Sequence, residues 1–231
     1  MPDRYFTTEV FRFLRELAEN NNREWWEDNK GRYVEVIREP ALDFIADFGR
    51  RLAEISPHFG ADTRTNGGSL MRPYRDVRFS KDKTPYKTNV GIQFRHLQGK
   101  DVHAPGFYVH IEPRRCFVGV GMWTPEAAVA ATIRQAINDD PRGWATAAHS
   151  PLFKAAWTID GSRDSSLKRL PPGLDPNHPH VEDLRLRSFM AGARLTQHDV
   201  TSPTFGDDLT ERFKKSAPFA RFLCSALGVA F

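Results

Sequence analysis

Apolar residues recur at helical spacing through the first quarter of the chain. Thr7 or Thr8 can cap a first helix whose buried stripe is Val10, Phe13, Leu14 and Leu17. Asn20-Asn21-Asn22 ends it. Asn21 with Glu24 three residues later resembles a capping box for a second helix carrying Trp25, Trp26, Tyr33 and Ile37. Pro40 is expected to interrupt that helix, because an interior proline lacks an amide donor and clashes with the preceding turn. Helical spacing resumes at Leu42, Ile45, Phe48, Leu52 and Ile55 and stops at Ser56-Pro57.

The period then changes from 3.6 to 2. Val90, Ile92 and Phe94 alternate with Gly91, Gln93 and Arg95, which predicts a strand. Phe107, Val109 and Ile111 alternate with Tyr108, His110 and Glu112, and Cys116 to Trp123 is a further apolar strand. Pro113-Arg114-Arg115 between them reads as a tight turn, so the pair is a hairpin. If Arg114-Arg115 are its two central residues, His110 faces Gly119 and Tyr108 faces Gly121. Helices return at Thr124-Pro125, running to about Asn138, and from Pro141 to Ala148. Residues 157–183 read mostly as loop, and Leu184 to Leu195 as a strand. Phe205 to Leu227 is an amphipathic helix broken near Pro218. Helices at both ends and strands in the centre predict an α+β fold, with a central, mainly antiparallel sheet flanked by N- and C-terminal helices. There is no internal repeat and no evident linker, so residues 1–231 are expected to form one globular domain.

Composition supports a real core. The 17 Phe and 5 Trp predict an aromatic-rich interior. A chain of this length buries roughly 70–75% of its unfolded surface, without disulfide or metal staples. Cys116 and Cys224 cannot build a disulfide framework, which points to a reducing compartment. Met1-Pro2-Asp3-Arg4-Tyr5-Phe6 has no apolar leader core, and Ala127 to Ile133 is too short to span a bilayer. The expectation is a cytoplasmic protein without a membrane segment.

Charge singles out one region. The net charge is +4, but residues 59–124 hold 11 Lys and Arg against 5 Asp and Glu, a net of +6. Six of those cations lie between Arg72 and Lys87: Arg72, Arg75, Arg78, Lys81, Lys83 and Lys87, with Tyr74, Phe79 and Tyr86 interleaved. Arginine offers a planar fork of donors suited to carboxylate or phosphate, and lysine a compact charge. Arg72, Arg75, Asp76, Arg78, Lys83, Tyr86 and Lys87, together with Tyr108, are therefore candidates for binding a small anionic ligand. The competing reading is structural: the arginines pair with Asp76 and Asp82 and pin a loop to the core. The basic excess is too small to make nucleic acid the leading partner, although a nucleic-acid or protein interaction module is a second reading.

Tyr108, His110 and Glu112 share one face of their strand, opposite glycines that would leave open space above the sheet. His110 is the candidate general acid or base and Glu112 the group that orients it. The competing reading is that a helix packs on those glycines and His110 is half-buried and satisfied. No metal site is expected, because His178-Pro179-His180 lacks further ligands at recognisable spacing. There is no GxSxG, HExxH or GxGxxG run, and Gly67-Gly68-Ser69 is too short and lacks the lysine of a nucleotide phosphate loop.

The arrangement Arg72-x-x-Arg75-Asp76-x-Arg78-Phe79, followed by Asp82-Lys83-x-x-Tyr86-Lys87, resembles the signature of a bacterial and fungal family, domain of unknown function 2461. Asn21-Asn22-Arg23-Glu24-Trp25 with Lys30 and Tyr33 resembles its N-terminal helices. Pro105 to Pro113 and Gly119 to Trp123 with Pro125 resemble its central hairpin. Leu167-Lys168-Arg169-Leu170-Pro171 with His178-Pro179 resembles a later segment, where Pro172 replaces an expected lysine. The resemblance implies a single domain over nearly the whole chain and brings no activity, cofactor or catalytic residue with it.

Overall fold

A computed structural model describes residues 4–98, 105–159 and 166–231. The leader reading on Met1 to Asp3 and the stretch 160–165 of the predicted loop lie outside those residues. Thr7 caps α1 (Thr8–Glu19), its hydroxyl accepting from the Glu9 amide. Asn22, not Asn21, caps α2 (Arg23–Tyr33), accepting from the Trp25 amide at 3.0 Å.

Pro40 does not interrupt the helical run. Val34–Arg38 widens into a π turn that leads directly into α3 (Glu39–Ile55). The wider turn, in which the Glu39 amide reaches back to the Val34 carbonyl, accommodates the proline just inside the next segment. α4 (Ala127–Asp139), α5 (Pro141–His149) and the short α6 (Pro151–Ala156) come after the central strands. A short α7 (Gln197–Val200) precedes α8 (Phe205–Ala226). The expected break at Pro218 is absent, because Phe213, Phe219 and Leu223 on either side are fully buried and packing holds the helix through the proline.

The strands are β1 (Phe59–Gly60), β2 (Val90–His96), β3 (Gly106–Ile111), β4 (Cys116–Met122), β5 (Thr158–Ile159) and β6 (Phe189–Leu195). They form one sheet in the order β1-β2-β3-β4-β6-β5, every neighbouring pair antiparallel. The fold is therefore α+β, with helices flanking an antiparallel sheet.

The β3–β4 register differs from expectation by two residues. Tyr108 faces Gly119 and His110 faces Phe117. The turn is centred on Pro113-Arg114: the Arg115 amide donates to the Glu112 carbonyl, and Arg114 has φ 70°. Proline presets the first central position of a turn, which displaces the pair Arg114-Arg115 from that role. A two-residue slip keeps every side chain on its original face.

The two faces of the sheet differ. Val90, Ile92, Phe94, Phe107, Val109, Ile111, Val118 and Val120 are buried under α3 and α8. The Phe48 ring packs tilted against Phe94, and that of Phe213 against Phe107. Burying each such side chain contributes about 1.5–3 kcal/mol, so this face carries the fold. On the other face Gln93, Tyr108, His110, Phe117 and Met190 are only partly covered. Among the described residues no helix is long and apolar enough to cross a membrane.

Candidate functional site

The partly covered face holds a cleft of about 410 Å³ lined by Met71, Gln93, Tyr108, His110, Phe117, Trp123 and Met190, with Gly106 and Gly121 in its floor. Its walls are mainly apolar, with a few convergent polar groups, the usual character of a small-molecule site. Two glycines shape it. A Cβ on Gly91 would lie 2.9 Å from the Tyr108 hydroxyl and 3.0 Å from the Met71 sulfur. Gly121 has φ 118°, and a Cβ there would strike the Phe189 carbonyl. Phe219 of α8 packs against Gly121, so a helix does reach that glycine, while the space over Tyr108 remains part of the cleft.

Alternation along β3 puts Tyr108, His110 and Glu112 in line, and hydrogen bonds join them. The Tyr108 hydroxyl is 3.1 Å from His110 Nδ1, and His110 Nε2 is 3.0 Å from Glu112 Oε2. The Asn89 amide nitrogen also faces Nδ1, at 3.5 Å. A carboxylate only accepts and an amide nitrogen only donates, so Nε2 carries the proton and Nδ1 accepts from Tyr108. His110 stacks on Phe117, with centroids 4.6 Å apart. Burial pushes the Tyr108 phenol up to about 12. Burial also lowers His110, against the opposing pull of the Glu112 carboxylate. The ground state is therefore a protonated phenol on a neutral imidazole on a carboxylate. The arrangement can take a proton at the phenol oxygen while the phenol's own proton moves to Nδ1.

The Arg72–Lys87 segment is a hairpin-like loop beside this cleft. Its arms pair through Arg75 N–H to Pro85 C=O and Lys87 N–H to Pro73 C=O, with Tyr74 bridging Tyr86. Asn21 clamps it to the helices, donating to the Tyr86 carbonyl at 2.9 Å and accepting from the Tyr86 amide at 3.0 Å. Tyr86 is buried and stacks on Trp26 at 4.3 Å.

Both carboxylates of the loop are paired within it, to two of its six cations. Arg75 bonds to Asp82 and Thr84. Arg78 forks onto Asp76 at 2.9 and 2.6 Å, and Lys83 donates to the Val77 carbonyl. The Arg78 guanidinium holds Asp76 down at about 2, and that of Arg75 does the same for Asp82. Arg75, Asp76, Arg78 and Lys83 thus bond within the loop and do not line the cleft over Tyr108.

Arg72, Lys81 and Lys87 are not committed in this way among the described residues, and Lys81 is exposed on the loop. Lys87 is half-buried beside Phe13, Pro73 and Asn89. Burial and the neighbouring Arg72 hold its ammonium below the usual range. Arg72 lines a second cleft, of about 480 Å³, with Lys30 and Arg38. Met71 borders both clefts. Lys30 and Arg38 carry no charge-cluster signal in the sequence, and only the tertiary fold brings them to Arg72.

The histidine motif also gains partners that spacing does not show. His149, His180 and Asp183 place one potential ligand atom each within 4.8 Å of one another. Asp183 accepts from Trp144 Nε1 at 2.6 Å and from His149 Nε2 at 2.5 Å, and His180 Nε2 donates to the Pro141 carbonyl. His149 ends α5 and Asp183 lies 34 residues on, which is why the sequence pattern showed only His178 and His180. Both bonds to Asp183 fall on Oδ2, which ties the cluster to the indole of α5.

A family described as conserved hypothetical protein (DUF2461) matches residues 9–222. No curated protein and no solved structure matches the chain.

Proposed function

The chain belongs to the DUF2461 family, whose description names no activity, and we propose from its geometry that it binds a small organic ligand on the open face of the sheet and transfers a proton there through Tyr108, His110 and Glu112. The observation that carries this reading is the hydrogen-bonded series on the wall of the 410 Å³ cleft. A ligand C–H or O–H held over Tyr108 gives its proton to the phenol oxygen. The phenol proton passes to His110 Nδ1, and the Glu112 carboxylate at Nε2 stabilises the imidazolium so formed. Returning the proton runs the same steps backwards. Gln93 supplies a polar contact on the wall, and Trp123, 64% exposed at the cleft, offers an aromatic surface for the ligand. The anionic character expected from the sequence gains no support at this cleft, whose lining holds no Lys or Arg among the described residues: Arg75 and Arg78 are paired within their loop and Arg72 lines the second cleft.

The test begins with a thermal-shift screen of phosphorylated metabolites, carboxylic acids and carbonyl compounds. Compounds that bind are incubated in D₂O with the protein, and deuterium incorporation is followed by NMR. Incorporation that disappears in Tyr108→Phe and His110→Gln, with binding retained, is the expected result. Exchange that proceeds equally in both variants, or is absent for every ligand that binds, refutes proton transfer.

A second reading has one observation in its favour. Phe79 is 96% exposed at the tip of the loop, between Arg78 and Lys81, as a contact residue for a nucleic acid or protein would be. Retention on heparin that weakens steeply with salt and is lost in Phe79→Ala would support it. No retention at low salt counts against its nucleic-acid form.

A further inference from the structure

The second cleft runs between the helical segment around the π turn and the chain from Thr65 to Tyr74. Lys30, Arg38 and Arg72 all line it, and no Asp or Glu does. Lys30 has only a loose approach to Glu27, at 3.8 Å. Neither Arg38 nor Arg72 has a carboxylate partner among the described residues, in contrast to Arg75 and Arg78 further along the loop. Lys30 and Arg72 are exposed and Arg38 is half-buried; like charges gathered around one cleft repel one another, and a nearby anion relieves that cost.

The polar inventory of the wall is also incomplete. Trp26 is 1% exposed, and its indole Nε1–H has no acceptor among the described residues. The Nε–H of Arg38 is buried and has no acceptor either. Buried donors left unpaired cost about 1–3 kcal/mol each, so two on one wall call for an explanation. The π turn is a second sign: its wider ring ends on Arg38, and such turns recur at functional sites.

We propose that this cleft is the seat of an oxyanion, specifically the phosphate group of a small organic phosphate monoester, held by Arg38, Arg72 and Lys30. Two guanidinium groups present forks that match phosphate oxygens, and the lysine adds a point charge. Three cations suit a dianion better than a monocarboxylate. The cleft's 480 Å³ leaves room for the organic part, against the rings of Tyr33 and Tyr74. This site stands on residues outside the Tyr108 relay and goes beyond the proton-transfer reading.

Isothermal titration of the full chain with phenyl phosphate, inorganic phosphate and benzoate tests it. The expected order is phenyl phosphate tightest, inorganic phosphate weaker and benzoate weakest. Arg72→Ala and Arg38→Gln should each weaken phenyl phosphate at least tenfold. Arg78→Ala, which removes a loop cation already paired with Asp76, should leave it within twofold. Tyr108→Phe should also leave it within twofold, so failure of the relay reading and failure of this one are told apart. If a variant loses its fold by circular dichroism, the wild-type chain still decides the matter. The Trp26 indole signal, from a residue of the cleft wall, should shift in ¹H–¹⁵N NMR as phenyl phosphate saturates the site. Absence of binding, an unmoved indole signal, or equal weakening by Arg78→Ala overturns the proposal.

Discussion

Removing the Tyr108 hydroxyl should raise the pKa of His110. In the native chain that hydroxyl donates to Nδ1, the lone pair that a second proton would occupy. The donation stabilises neutral imidazole only. Tyr108→Phe keeps the ring and deletes the donor. A hydrogen bond of this kind contributes about 0.5–1.5 kcal/mol net, and one pKa unit corresponds to about 1.4 kcal/mol. The expected rise is therefore about 0.4–1.1 units. The Asn89 amide, at 3.5 Å, is too distant to replace the lost bond in full. Glu112→Gln should move the same pKa the other way, because the carboxylate favours the charged ring. Titration of the His110 ring nitrogens by ¹⁵N NMR reads both shifts and the tautomer directly. A fall in Tyr108→Phe, or shifts of the same sign in both variants, would mean that the proton does not sit on Nε2 and that the relay runs in another order.

Gly91→Ala should disturb the same contact without deleting a group, because the added methyl lies 2.9 Å from the Tyr108 hydroxyl; the His110 pKa should rise less than in Tyr108→Phe, and an unchanged value would show that the ring gives way freely. Asn21→Ala removes two hydrogen bonds to the Tyr86 backbone; a loss of about 1–3 kcal/mol, or about 2–4 °C in Tm for each kcal/mol, should appear in thermal unfolding, and a Tm unchanged within error contradicts the clamp. On acidification, His110 opposes folding, because its folded pKa lies below the usual 6.5 and the unfolded chain takes up the proton first. Its contribution is intact above pH 6.5 and is lost as pH falls through the lower folded value, so chemical unfolding from about pH 8 to about pH 5 should show falling stability that flattens in His110→Gln. Asp76 and Asp82, held at about 2, keep the loop ion pairs until pH drops from 3.8 towards 2, where faster amide exchange at Arg78 and Thr84 should report their release. Cys116 and Cys224 are buried, and burial pushes Cys224 up to about 11; neither should react with a disulfide reagent until the chain unfolds.

The alternating strands and the helical stripes were legible because burial imposes a period on the chain. Tyr108, His110 and Glu112 could be grouped for the same reason, since one strand face is set by a period of two. The turn register was not legible, because proline and arginine competed for its central positions and only backbone geometry decides. The two proline breaks were over-read: local cost is real, but a π turn relieves one and core packing outweighs the other. The arginine signature shows the limit most clearly. Its spacing announces a cluster of cations and says nothing of which carboxylate each one meets. Arg75 and Arg78 found partners within the same loop, while Arg72 was left with Lys30 and Arg38, residues on a helical segment far away in sequence.

The π turn also sets rotational phase. α2 and α3 behave as one rod whose buried residues, from Tyr33 and Ile37 to Phe44, Phe48 and Leu52, must all point inward. One extra residue per wide turn rotates everything beyond it by about 100° relative to an unbroken α-helix. Deleting a single residue between Val34 and Arg38 would leave composition almost untouched. It would nonetheless turn either the phenylalanines of α3 out of the core or Trp26 and Lys30 away from Arg38. The chain length of that one turn is thus a joint setting for the interior and for the cationic cleft, and neither can be retuned without the other.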